Sequence, residues 1–349
     1  MYNEESTKIG VGALPAYFGG KRKILRNIFD NVSSDAKTLF DPMAGACTVP
    51  LAAKICGLSV TANDHSAGSS VIGNALIVNE STQIDPRVLP AMIRPVAGCD
   101  KYLEITFGDW HLPKQLAIYA DNIHHNIQTL PNELQAPYQL LLYRFLTFMA
   151  PYNLYRYPGL TRGFLEGTYP KSMQGHITKW ERNIIDPLPA LEKITNQINR
   201  AVFPGVGTML QDDVFKVVEE NSADVMYFDP PYAGAGIPYE RGYEVIEQMI
   251  TRTPIVRTTS VFNDLDQERD GLLRVLSADG YGEIIFSYWT ELHDRDWFAE
   301  LFEDAKLHST EIPLGNYNYS YSTKKGKKGD WTSDKKKGQK EIMYKLIPR

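Results

Sequence analysis

The sequence predicts an α/β fold: a mostly parallel sheet built from βα repeats and interrupted by an inserted, mostly helical module. Three observations carry this expectation. Short apolar runs end in Asp or Asn and are followed by helical patterns early in the chain, the alternation that builds parallel sheets. From about Asp85 the pattern gives way to Pro-punctuated, aromatic-rich stretches. The βα pattern then resumes near Val206. The chain therefore divides into a discontinuous α/β domain, residues 1–80 and 200–349, and an inserted module, residues 81–199.

The first apolar run, Thr38 to Phe40, ends at Asp41 and opens the turn Asp41-Pro42-Met43-Ala44-Gly45-Ala46. Small residues there let a backbone approach a ligand closely. A second run, Leu58 to Ala62, ends at Asn63-Asp64. In the insertion, Glu133 to Met149 predicts a helix, and the Tyr-, Gly- and Arg-rich stretch 151–171 predicts a hairpin or long loop. After it come a strand to Leu210, a short helix from Val214, and a strand Asp224 to Phe228 that ends in Asp229-Pro230-Pro231-Tyr232. A helix containing Asp266 to Leu276, a strand Gly282 to Ser287, a helix around Asp294 to Glu303 and strands near Ser309 to Pro313 and Glu341 to Ile347 complete the pattern. Such Rossmann-like sheets hold ligands at the carboxyl ends of their strands.

Hydrophobic residues make up 43% and charged residues 23% of the chain, ordinary proportions for a globular protein. No apolar run approaches the roughly 20 residues that span a bilayer, so the sequence predicts no membrane association. The N-terminal stretch lacks the basic start and apolar core of a secretory signal, so a cytoplasmic protein is expected. Cys47, Cys56 and Cys99 form neither a paired framework nor a Cys-x-x-Cys set, and the histidines are scattered. No disulfide and no metal are expected. Residues 321–349 carry nine lysines and one arginine against three acids, a net of +7 that leaves −12 for the rest of a chain of formal charge −5. A lysine-glycine run of this kind is a solvated loop unless other features point to nucleic acid, in which case it is a candidate for phosphate contact.

The sharpest feature is Tyr227-Phe228-Asp229-Pro230-Pro231-Tyr232. A strand ending this way places a carboxylate and carbonyls at the sheet's edge, with two amide hydrogens removed and φ fixed by proline. Such a cradle of acceptors suits an exocyclic amine, which offers two N–H donors and a lone pair delocalised into its ring. Asp229 and the Pro230 carbonyl are the candidate acceptors and Tyr232 the candidate stacking face, a role that Phe would largely preserve. The catalytic candidates are thus Asp229, Pro230, Pro231 and Tyr232.

With its companions, this tetrapeptide makes the chain resemble the Dam-like, D12-class family of DNA adenine-N6 methyltransferases. Tyr17-Phe18-Gly19-Gly20-Lys21 resembles that family's N-terminal aromatic-x-Gly-Gly-Lys element. The turn from Asp41 to Ala46 resembles its first cofactor loop, and Asn63-Asp64 the acidic end of its second strand. The resemblance implies an S-adenosylmethionine donor held by Tyr17, Gly20, Lys21, Asp41, Met43, Gly45, Asp64, Asp213 and Phe228. Asp64 would take the ribose hydroxyls, and Asp213, or Asp212 in an alternative alignment, would lie near the donor adenine. Lys21 would meet the donor's carboxylate or a neighbouring acid.

The resemblance further implies double-stranded DNA as partner, a flipped target adenine, and contacts from Asn153, Tyr155, Arg156, Arg162 and Lys171. It admits a cognate restriction endonuclease as a second partner. RNA or N4-cytosine methylation by the same cradle, and a non-catalytic DNA-binding regulator, are the competing readings. One departure stands out: the family commonly has Gly-x-Gly in the first turn, whereas here Gly45 is followed by Ala46 and Cys47.

Overall fold

The computed structural model describes the chain except for residues 1, 18, 151–158, 234–238, 256–259, 290–292, 315–323, 326–330 and 333–340, and the side chains of 239–241, 324–325 and 331–332. Seven strands form one sheet: β1 (Thr38–Asp41), β2 (Ser59–Asn63), β3 (Gly207–Leu210), β4 (Ala223–Phe228), β5 (Tyr281–Trp289), β6 (Leu307–Glu311) and β7 (Glu341–Pro348). Their spatial order is β3-β2-β1-β4-β5-β7-β6. β1 pairs in parallel with β2 and β4, β2 with β3, and β4 with β5, whereas β7 runs antiparallel to both β5 and β6. Parallel neighbours need crossover connections. Those used below include α2 (Thr48–Ile55) and α3 (Ala67–Gly73), preceded by α1 (Glu4–Val11). The order of strands reverses between β1 and β4, and a crevice opens outside the strand ends at such a switch point.

Strand residues alternate between the two faces of a sheet, and here each face has its own core. Leu39, Val225, Tyr227, Ile285 and Met343 enter one apolar cluster, which also contains helices from residues 81–199. Phe40, Met226, Phe228, Phe286 and Tyr344 enter the other. Residues 81–199 contribute α4 (Lys114–Gln128), α5 (Asn132–Met149), α6 (Gln174–Ile185) and α7 (Leu188–Arg200). Further along lie α8 (Val214–Glu220), α9 (Tyr239–Thr251), α10 (Glu268–Leu276) and α11 (Arg295–Asp304).

The reading of 151–171 as a hairpin or long loop is corrected where it can be seen. Gly159–Glu166 is a helix, a 3₁₀ turn follows at Lys171–Met173, and no strand occurs among the described residues of 81–199. Leu160 and Phe164, one turn apart, pack on the core, and the Phe164 ring meets that of Trp180 edge-on at 5.6 Å. That helical spacing is masked in the sequence by the surrounding Tyr, Gly and Arg. Elsewhere the elements lie within a few residues of their expected positions; β6, for example, starts at Leu307 rather than Ser309.

Candidate active site

The strand ends β1 to β4 converge on one cavity of about 720 Å³, within the roughly 300–1,000 Å³ usual for small-molecule sites. At the end of β1, the buried Asp41 carboxylate accepts the Met43 N–H at 3.1 Å and fixes the turn; burial holds its pKa well above the usual carboxylate range. Gly45 and Cys47 both adopt left-handed backbone, with φ 51° and 53°. A Cβ on Gly45 would also lie 2.9 Å from the Tyr17 ring, so glycine is required there on two counts. Cys47 has no such freedom and is strained.

Asp64, just past β2, braces this turn. One of its oxygens accepts the Gly45 N–H at 2.7 Å and the other the Ser66 N–H at 2.9 Å, while burial raises its pKa against those bonds. Glu247 reaches across from α9 to accept the Ser66 hydroxyl and the Ala67 and Gly68 N–H groups, at 2.6, 2.7 and 3.0 Å. It thereby satisfies amides that the start of α3 leaves open. After β3, Asp213 caps α8 by accepting the Phe215 and Lys216 N–H groups at 3.0 and 3.2 Å, and Asp212 pairs with Lys216. Tyr17 and Tyr243 stack at 4.4 Å between ring centres and line the cavity together.

At the end of β4 the Asp229 carboxylate meets a buried cluster. The Lys21 ammonium lies 2.9 Å from Asp229 Oδ2 and 2.8 Å from Glu341 Oε1, and donates to the Tyr232 hydroxyl at 2.9 Å. Tyr232 in turn donates to Asp229 Oδ1 at 2.8 Å, and Ser287 donates to Glu341. Glu341 reaches this point because β7 is antiparallel: its first residue pairs with Trp289 at the carboxyl end of β5. Burial works against the charge on Lys21, but Asp229 and Glu341 outweigh it and hold its pKa well above the usual value. Burial pushes Asp229 up to about 6; Lys21 opposes that rise and Glu341 adds to it.

The structure brings together Tyr17, Gly20, Lys21, Asp41, Met43, Gly45, Asp64, Asp213, Asp229, Pro230 and Pro231 around one cavity. Two placements differ from expectation. Phe228 is fully buried in the opposite core, edge-on to Phe262 at 5.9 Å, because strand alternation turns it away from Tyr227 and Asp229. It does not line the cavity. The Tyr232 ring, 6% exposed, packs against Tyr288 and Trp289 at 5.0 and 6.4 Å; its contribution to the site is its hydroxyl rather than an open face. Arg162 and Lys171 are exposed and away from the cavity lining, and Asn153, Tyr155 and Arg156 lie outside the described residues.

Sequence reasoning missed Glu341, Glu247, Tyr243 and Tyr227. Only Tyr227 carried a signal, two residues before Asp229 and so on its face. Its hydroxyl is buried beside the cavity with no hydrogen-bond partner among the described residues.

A parallel sheet with one antiparallel strand, an acid-braced cavity at the switch point and an Asp-Pro-Pro-Tyr cradle beside it define a Rossmann-like methyltransferase. The sequence model of the D12 class N6 adenine-specific DNA methyltransferases matches residues 17–312, and the chain belongs to that family. It is therefore an adenine-specific DNA methyltransferase, a class whose methyl donor is S-adenosylmethionine. A relative, the Type II methyltransferase M2.HphI of Haemophilus parahaemolyticus, is 26% identical over 246 residues, 67% of this chain and 70% of the relative. The cavity suits such a donor: its volume fits a nucleoside with an amino-acid arm, and the buried Tyr227 hydroxyl at its lining has no hydrogen-bond partner among the described residues.

Proposed function

We propose that the chain methylates the N6 amine of an adenine flipped out of duplex DNA at a specific sequence, with Asp229 and the Pro230 carbonyl holding the amine. The observation that carries this reading is the Lys21-Tyr232-Asp229 cluster at the cavity's edge. Each carboxylate oxygen has a second lone pair, so Asp229 can accept an amine N–H while bound to Lys21 and Tyr232. With both amine hydrogens so engaged, the nitrogen lone pair points into the cavity. When bound, the donor supplies an electrophilic methyl sulfonium. Alignment of this kind is worth several kcal/mol in favourable cases (~7–11 at most), and the amine becomes acidic only as it gains the methyl group, so Asp229 need not be a strong base. Flipping costs about a few kcal/mol of unstacking.

In this reading Asp64 takes the ribose hydroxyls, Asp213 lies near the donor adenine, and Asn153, Tyr155, Arg156, Arg162 and Lys171 contact DNA. A cognate endonuclease belongs to the same reading, supported by the Type II name of the relative.

The test is single-turnover methylation of duplex DNA with saturating donor, followed by nucleoside analysis, with single-molecule sequencing to map the site. N6-methyladenine at one recurring sequence is the expected product. N4-methylcytosine, methylated RNA alone, or no transfer despite donor binding would overturn it.

A further inference from the structure

Three cations of residues 81–199, Arg144, Lys179 and Lys193, share one small region with His176, and no acid among the described residues pairs with them. Phe148 is at its centre, at the end of α5 and three residues before segment 151–158. The Lys179 ammonium, from α6, donates to the Phe148 carbonyl at 2.7 Å and lies 4.6 Å from the centre of its ring. The Lys193 ammonium, from α7, lies 5.7 Å from the same ring. One turn earlier on α5, Arg144 donates to Gln197 at 3.4 Å, one turn beyond Lys193 on α7. Among the described residues, Arg144 Nε and His176 Nδ1 are buried without a hydrogen-bond partner. Among the described residues, no carboxylate oxygen lies within the 4.0 Å ion-pair distance of Arg144, His176, Lys179 or Lys193.

The electrostatics agree with the geometry. Burial pushes Arg144 down to about 10, and Arg22 adds to the effect. Burial also lowers Lys179, with Lys193 repelling it, and lowers His176, with Lys179 repelling it. Partly buried like charges destabilise a fold unless an anion joins them. The sequence supplies few: residues 144–200 hold eight arginines and lysines against four acids, within a chain of net charge −5.

We propose that this region, where α6 and α7 meet the end of α5, is a contact surface for the phosphodiester backbone of DNA, with Lys179, Lys193 and Arg144 neutralising phosphates. The inference rests on the reading of the chain as a DNA enzyme and adds where the duplex lies. The contacts are to backbone, so they position the duplex without selecting its sequence.

The experiment is a titration of a short labelled duplex without preferred sequence, repeated over a range of salt concentrations. Each phosphate neutralised adds about 0.9 to the slope of log affinity against log salt, so K179Q/K193Q should reduce the slope by about 2. K179R/K193R should keep it. Donor binding by calorimetry should be unchanged in both variants, because neither lysine lines the cavity. If the double variant misfolds, K193Q alone changes an exposed residue and should reduce the slope by about 1. A wild-type protein that methylates DNA while its lysine variants keep the full slope overturns this surface alone. A wild-type protein that neither binds nor methylates DNA overturns the functional reading and the surface with it.

Discussion

All three hydrogens of the Lys21 ammonium have acceptors inside the protein, on Asp229, Glu341 and Tyr232. Of the two partners its sequence context allowed, the geometry favours the neighbouring acid over the donor's carboxylate. Asp229→Ala should slow single-turnover transfer by at least ~100-fold, the order for a positioned polar group, while calorimetry finds donor binding retained. Tyr232→Phe, which a purely stacking role would tolerate, should also slow transfer, because the hydroxyl bridging Lys21 and Asp229 is lost. Retained activity in that variant would return the role to the ring. The pH dependence follows from sign. Asp229 accepts hydrogen bonds freely only when ionised, and its pKa is raised to about 6, so the rate should fall as pH drops through about 6. Glu341 contributes to that rise, so Glu341→Gln should move the acid limb of the pH–rate profile to lower pH, a shift that simple loosening of the fold does not produce. Stability runs the other way. A carboxyl raised above its unfolded value, about 3.9, weakens the fold above pH ~6, and that penalty fades as pH falls towards 4.

At the scale of elements, the turn after β1 carries a measurable cost. Cys47 is fully buried and left-handed at the place where the family commonly has its second glycine. Cys47→Ala keeps the strain and loses the thiol's packing, whereas Cys47→Gly loses the packing but relieves strain of about 1–2 kcal/mol. In urea unfolding the alanine variant should be the less stable of the two; the reverse order would show that packing outweighs backbone strain. Asp64→Ala should weaken donor binding by about 1–3 kcal/mol for a lost charge-assisted contact, and it also frees the Gly45 and Ser66 amides. The same turns show what could be read from the sequence. Asp41, Gly45, Asp64 and Asp229 were legible because each ends a strand or occupies a turn with its own local grammar. Alternation along β4 places Phe228 in the opposite core, a position its local motif does not reveal. Glu341 left no local trace, since the register of β7 against β5 that brings it to the site is a long-range fact. Glu247 was hidden likewise, as one acid on a helix whose partner turn lies far earlier in the chain.

Over the whole molecule, charge is divided between an acidic majority and two basic regions, the helical surface around Phe148 and the lysine-rich stretch before β7. Of that stretch only Lys324–Lys325 and Trp331–Thr332 are described, as a short antiparallel pair. Deleting 324–337, which holds seven lysines, should lower affinity for all DNA and flatten its salt dependence; an altered site preference at unchanged slope would contradict this. The sheet order has a different consequence, one of timing. β6 is hydrogen-bonded to β7 and not to β5, so a ribosome making this chain produces β6 before the strand that docks it. Until β7 emerges, the growing polypeptide can shape the cavity from β1 to β4, yet Lys21 faces one carboxylate instead of two. Late, non-local pairing of this sort is slow, so a nascent chain acquires the shape for cofactor before the charge balance for catalysis.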